Sequence, residues 1–133
     1  MKISAIAQSP PPTCKTTAMV DEAVQVMQNA RGGAVVVVDD GRVKGIFTER
    51  DVLLRVVAAN KDPEATLVRE VMTSAVETVH EDTEALRGLE RMVSRHIRHL
   101  PVVDAKESLV GLVSMRNILL NHFDMLLEKA SKQ

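Results

Sequence analysis

Gly45-Ile46-Phe47-Thr48-Glu49-Arg50-Asp51-Val52 decides how this chain is read. Ile46 and Phe47 read as the end of a buried strand, and Thr48 is a hydroxyl residue of the kind that opens a helix. The stretch returns, altered, as Gly111-Leu112-Val113-Ser114-Met115-Arg116-Asn117-Ile118, with Gly111 66 residues after Gly45. The rest of the chain aligns around these two strand-to-helix corners.

Upstream of the first corner, Ala34-Val35-Val36-Val37-Val38 is β-branched and apolar on both faces, which predicts a strand covered on both sides. Asp39-Asp40-Gly41-Arg42 is a hairpin turn in which Gly41 can take positive φ. Val43 to Phe47 returns as the second strand. Before them, Thr16 or Thr17 is placed to cap a helix running to about Asn29. Met19, Ala23, Val26, Met27 and Ala30 form its apolar face, and Gly32-Gly33 ends it. In Gln8-Ser9-Pro10-Pro11-Pro12 the three prolines in a row lack amide donors, which predicts an extended connector. After the corner, a helix from Thr48 to about Asn60 presents Val52, Leu53, Val56 and Val57, and Lys61-Asp62-Pro63-Glu64 breaks it.

The second half repeats this order. Ile3, Ile6, Ser9, Thr13 and Met27 fall 65 positions before Val68, Val71, Ser74, Thr78 and Met92. One extra residue in the turn Asp104 to Ser108 raises the offset to 66, which then holds from Gly45/Gly111 to Leu53-Leu54/Leu119-Leu120. A single insertion, confined to a turn, preserves the register throughout. Asp82 is a cap for a helix with Ala85, Leu86, Leu89, Met92 and Val93 inward. The last helix runs from about Met115 to Ala130, with fraying expected over Glu128 to Gln133. The units are residues 1–65 and 66–133.

Composition sets the remaining bounds. With 133 residues the chain is near the size of one compact domain, and its only aromatics are Phe47 and Phe123. A ligand base would therefore rest on aliphatic walls. A net charge of −1 argues against nucleic acid or an anionic membrane as partner. Cys14 is the only cysteine, so no internal disulfide forms, and His80, His96, His99 and His122 lack metal-ligand spacing. No apolar run spans a bilayer and no signal-peptide core opens the chain, so a soluble cytoplasmic protein without a membrane role is expected.

In order and register, the segments Val35–Asp39, Gly45–Val52, Val68–Thr73, Arg98–Asp104 and Gly111–Ile118 resemble a pair of CBS domains, the arrangement called a Bateman module. The resemblance implies an α/β fold of two βαββα-type repeats related by pseudo-twofold symmetry, with small sheets packed against helices. It implies a stand-alone regulatory module rather than an enzyme, usually a homodimer, that binds AMP, ADP, ATP or S-adenosylmethionine between the repeats. It also implies an effector protein not written in this chain, and no cofactor beyond the nucleotide.

One carboxylate can accept from both ribose hydroxyls, and its charge strengthens each bond. Asp51 matches the family's ribose-binding residue. Thr48 and Arg50 are placed for ribose or phosphate, and a helix start favours phosphate. The same Thr48-x-x-Asp51 spacing is also a capping box needing no ligand. In the second copy Ser114, Arg116 and Asn117 take these places, and Asn117 lacks the charge, which puts the second cleft in doubt. By the resemblance, Arg98 and His99 approach phosphate, Ser9 and the connector Thr73-Ser74-Ala75-Val76 read the base edge, and Ile46, Val76 and Leu112 supply apolar contact. Cations at a helix end and simple loops account for these residues equally well. The rival reading is an interaction module with vestigial clefts. An enzyme built on Asp51, Arg50 and a histidine lacks a nucleophile–base pair.

Overall fold

A computed structural model describes residues 1–131, and for Leu126 the backbone alone. After a 3₁₀ turn at Ile3–Ala5, the first repeat runs β1 (Thr13–Lys15), α1 (Val20–Ala30), β2 (Ala34–Asp39), β3 (Arg42–Thr48) and α2 (Glu49–Asp51), which continues as a π-helical segment, Val52–Val57. The second runs α3 (Val68–Val71), β4 (Val79–His80), α4 (Ala85–Arg95), β5 (His99–Val103), β6 (Leu109–Ser114) and α5 (Met115–Ser131). This is an α/β fold of two matching repeats, each with a three-stranded sheet: β1 parallel to β2 and β2 antiparallel to β3, then β4, β5 and β6 in the same order.

The register follows the sequence closely. Val35 to Val37 are fully buried, as a two-sided apolar run requires. Asp40 and Gly41 both take positive φ, which suits a two-residue hairpin. Each hairpin carries a bulge at the same place, between Val37 and Val38 opposite Gly45, and between Val102 and Val103 opposite Gly111.

Several expected details differ. Thr16 and Thr17 do not cap α1. Thr16 donates to the Asp39 carboxylate at 3.0 Å, and the helix opens at Met19, whose N–H is taken by Glu22. Asp82 does not cap α4 because Lys2 holds it at 3.0 Å, and the helix opens at Glu84. The left-handed residues ending α1 and α4 are Arg31 and His96, one offset apart, not the glycines. Leu53, Val57, Leu86 and Val93, expected inward, are about half exposed or more. Glu128 to Ser131 continue α5 rather than fray, and Lys132 and Gln133 lie outside the described residues.

The largest departure concerns the opening residues of each repeat. Ile3 is fully buried among Val79, Ala85, Met92, Leu100 and Ile118 of the second repeat. Val68 and Val71 are buried among Ala23, Met27, Val35, Phe47 and Val56 of the first. Each repeat thus lends its lead to the other's core. Backbone pairing seals the exchange symmetrically: Gln8 exchanges bonds with Leu112 at 2.8 and 3.1 Å, and Thr73 with Ile46 at 2.9 Å each way. A third cluster, Ala34, Val36, Ile46 and Leu112, joins the two sheets across the seam.

The exchange explains the two corner glycines. A Cβ on Gly45 would collide with Met72, and one on Gly111 would stand 3.0 Å from the Ala7 Cβ and 3.3 Å from the Gln8 carbonyl oxygen. The lead at Gln8 is pinned by its pair of hydrogen bonds and cannot retreat. Gly111→Ala is expected to destabilise the fold by about 1–3 kcal/mol, as overpacking does. A urea midpoint unchanged from the parent protein would contradict this contact.

Candidate functional site

The first corner forms as its spacing requires. Thr48 is extended at the end of β3, and Asp51 sits three residues into the turn of α2. The Asp51 carboxylate is nearly sealed from solvent, at 6% exposure for the residue. Its Oδ2 accepts from the Thr48 N–H at 3.1 Å and the Thr48 hydroxyl at 3.2 Å. Its Oδ1 accepts from the Thr73 hydroxyl at 3.4 Å and lies 3.6 Å from Arg55 Nε. Thr73 belongs to the second repeat's lead, so this acid stands where the repeats meet. Arg55 also donates to the Met72 carbonyl at 2.9 Å, a second tie between α2 and that lead.

Arg55 and the Thr73 hydroxyl were not singled out from sequence. The signal for Arg55 was present: a cation four residues after an acid on one helix faces it. Thr73 was expected only within the connector that reads the base edge, and the exchange of leads brings its hydroxyl to Asp51. Arg50 is exposed and makes no hydrogen bond or ion pair among the described residues.

The second corner copies the geometry without the charge. Ser114 donates its hydroxyl to Asn117 Oδ1 at 2.6 Å and its N–H at 3.3 Å, and the Asn117 N–H returns to Ser114 Oγ at 3.0 Å. Asn117 is exposed, and Asn121 occupies the position matching Arg55.

The remaining candidates lie as follows. Ile46 and Leu112 are buried in the seam with Val76 packed beside them, while Ser9 is exposed in the first lead. Arg98, His99, Ser114 and Arg116 line an open cavity of about 660 Å³ along α5, with Met115, Leu119, Leu120, His122 and Phe123 as its other walls. Asp51 and Asn117 do not line it. It is a largely apolar cavity with cations at its edge, within the volume range of small-molecule sites. Among the described residues no group of three His, Cys, Asp or Glu could hold a metal ion. No described helix is long and apolar enough to cross a membrane.

His99 is half-buried and lines this cavity. Burial pushes its imidazole below the ordinary value of 6.5, Glu49 of the first repeat opposes that shift, and Arg98 adds to it. A histidine lowered by folding binds its proton more readily when unfolded. Its neutral form therefore supports the fold fully above pH 6.5, and that support is lost as pH falls from 6.5 through the lowered folded value. His99→Gln is expected to flatten the fall in urea stability between pH 7.5 and 5.5, and an identical slope in both proteins would remove His99 from the account.

Two copies of one corner, two matched sheets and reciprocal leads define the architecture. The CBS-domain family model matches residues 3–58 and 68–122. The chain belongs to the CBS-domain family. This tandem CBS protein is 36% identical over 104 residues to an uncharacterised protein of Methanopyrus kandleri, covering 78% of the chain and 53% of that relative. It is 36% identical over 118 residues to a 17.7 kDa protein of Acidianus ambivalens, covering 88% of the chain and 70% of the relative. The chain thus spans about half the length of the first and somewhat over two thirds of the second.

Among solved structures, the CBS-domain pair of protein MJ0100, in complex with 5′-methylthioadenosine and S-adenosyl-L-methionine, superposes with a TM-score of 0.85 at 27% identity, covering 94% of this chain and 98% of that one. A CBS-domain protein from Pyrobaculum aerophilum complexed with AMP superposes with a TM-score of 0.81 at 28% identity, covering 91% and 97%. Both of those solved CBS structures carry adenosine-containing ligands.

Proposed function

We propose that this CBS pair senses an adenosine nucleotide, with AMP, ADP or ATP as ligand and S-adenosylmethionine as the alternative adenosine compound. The observation that carries the reading is the Asp51 carboxylate, held between the helix start of one repeat and Thr73 of the other repeat's lead. A ribose diol offers two hydroxyls that would take over the acceptor positions now filled by Thr73 and Arg55. Ligand and protein thus compete for one acid, and occupancy loosens or resets a tie between the repeats. The ligands of the two superposed CBS structures have adenosine in common, which supports this class without choosing its member.

In this reading the protein acts in the cytoplasm as a homodimer, and an effector protein reads the arrangement of its repeats. A ligand regulates only through its differential affinity for two arrangements. Asn117 favours a second reading for the second corner, an interaction surface that has lost its ligand.

The test is a thermal-shift panel of AMP, ADP, ATP, S-adenosylmethionine and NAD, followed by calorimetric titration. A ligand at one hundred times its dissociation constant stabilises the fold by about 2.7 kcal/mol. No shift with any member of the panel would overturn the sensor reading in favour of an interaction module.

A further inference from the structure

We propose that Arg55 gates the Asp51 corner: its guanidinium spans the carboxylate and the second repeat's lead, and a ribose binds by displacing it. The inference rests on the adenosine-sensor reading above. It adds the residue that sets the affinity and that links the affinity to the fit of the two repeats.

The two oxygens of Asp51 are unequal. Oδ2 is filled by the N–H and hydroxyl of Thr48. Those two bonds belong to the helix start itself, because Asn117 accepts the same two donors from Ser114 at the second corner. An incoming hydroxyl therefore finds its place at Oδ1. There it meets the Thr73 hydroxyl at 3.4 Å and Arg55 Nε at 3.6 Å. Both contacts are longer than the 2.7–2.8 Å usual for a hydroxyl on oxygen, so a ribose at ordinary distance competes well with them.

Arg55 is held on its other side as well. Its Nη1 reaches the Met72 carbonyl at 2.9 Å and the Val71 carbonyl at 3.5 Å, where α3 ends and leaves carbonyls without helical partners. A guanidinium is a rigid planar fork, and turning it from one partner moves it against the other. Displacement from Asp51 thus loosens the grip on the lead, and a lead drawn out of place weakens the competitor. Ligand and lead act on one cation.

The second corner shows the same frame without the gate. Gln8, Asn117 and Asn121 stand at the positions matching Thr73, Asp51 and Arg55. Gln8 keeps the backbone exchange with Leu112 that Thr73 has with Ile46. All three are amides, and among the described residues none of their side chains is joined to another. Acid and cation are present together at one corner and absent together at the other. The second corner and its lead hold together with neither, so the charged pair is surplus to the fold, as suits a group that serves a ligand.

The probe is adenosine, which carries the diol and no charge, so salt acts on the protein's own pair and not on a phosphate. Calorimetric titration is run on the parent protein, Arg55→Gln and Arg55→Lys at about 0.01 M and about 1 M sodium chloride, which shortens the screening length from about 30 Å to about 3 Å. Removing the attraction of such a half-exposed pair is expected to change an equilibrium constant about two- to fivefold. Parent affinity should rise by that factor with salt. Arg55→Gln should bind at the higher affinity already at low salt and show only the salting-out of the base, which is common to all three proteins. Arg55→Lys keeps the charge and should keep the rise. A rise unchanged in Arg55→Gln, or weaker binding by that protein at low salt, would overturn the gate while leaving the sensor reading in place. So would loss of the rise in Arg55→Lys. Adenosine binding to none of the three would overturn the sensor reading and the gate together.

Discussion

Asp51→Asn should remove most of the stabilisation that an adenosine nucleotide gives while leaving the empty protein nearly unchanged. The chain contains its own control. At the second corner Asn117 already accepts the Ser114 N–H and hydroxyl in the geometry that Asp51 uses with Thr48, so an amide satisfies the helix start. What an amide cannot supply is charge. Hydrogen bonds to a charged group are worth about 1.5–3 kcal/mol, against about 1 for neutral pairs. Weakening two of them lowers affinity about a hundredfold. A ligand at one hundred times its dissociation constant would fall to about that constant, and its stabilisation would drop from about 2.7 to about 0.4 kcal/mol. Thermal shift and calorimetry read this directly. If the asparagine protein retains the full shift, Asp51 does not hold the ribose.

Phe47→Ala should be among the most damaging substitutions to the fold. Phe47 is completely buried, and it packs with Val35, Val37, Met27 and Val56 of its own repeat and with Val68 and Val71 of the other repeat's lead. Truncating such a ring costs about 3–5 kcal/mol, since neighbours close only part of the cavity. Domains are stable by about 5–15 kcal/mol, so a melting temperature lower by about 10–20 °C is expected. The loss should appear as one transition for the whole chain, because the cavity is lined from both repeats. Two resolved transitions, or a loss below about 1 kcal/mol, would show that the repeats hold their cores separately.

Much of this fold was legible in the residues. The valine run, the Asp-Gly turn, the hydroxyl at each strand end and an offset that changes once, in a turn, predicted the strands, the hairpins and the doubling. Helix starts were less legible, because a hydroxyl or an acid near a helix can be claimed elsewhere. Thr16 went to Asp39, and Asp82 went to Lys2. Periodicity also cannot say what covers an apolar face. Leu53 and Leu86 lie on stripes that read as inward, yet both are open to solvent. The site divided along the same line. Local spacing marked Thr48 and Asp51 correctly as neighbours. The placement of Thr73 on that acid depends on how the two repeats are fitted together.

The reciprocal placement of Ile3 and of Val68 with Val71 has a historical consequence. A lone repeat of this sequence would begin with residues that have nowhere of their own to go and would keep a hollow that only a neighbour's first turn fills. Two identical short polypeptides could satisfy each other in this way, each threading its opening segment into its twin. Joining them end to end, through a stretch such as the one around Lys61-Asp62-Pro63-Glu64, would turn an encounter between strangers into a covalent pairing.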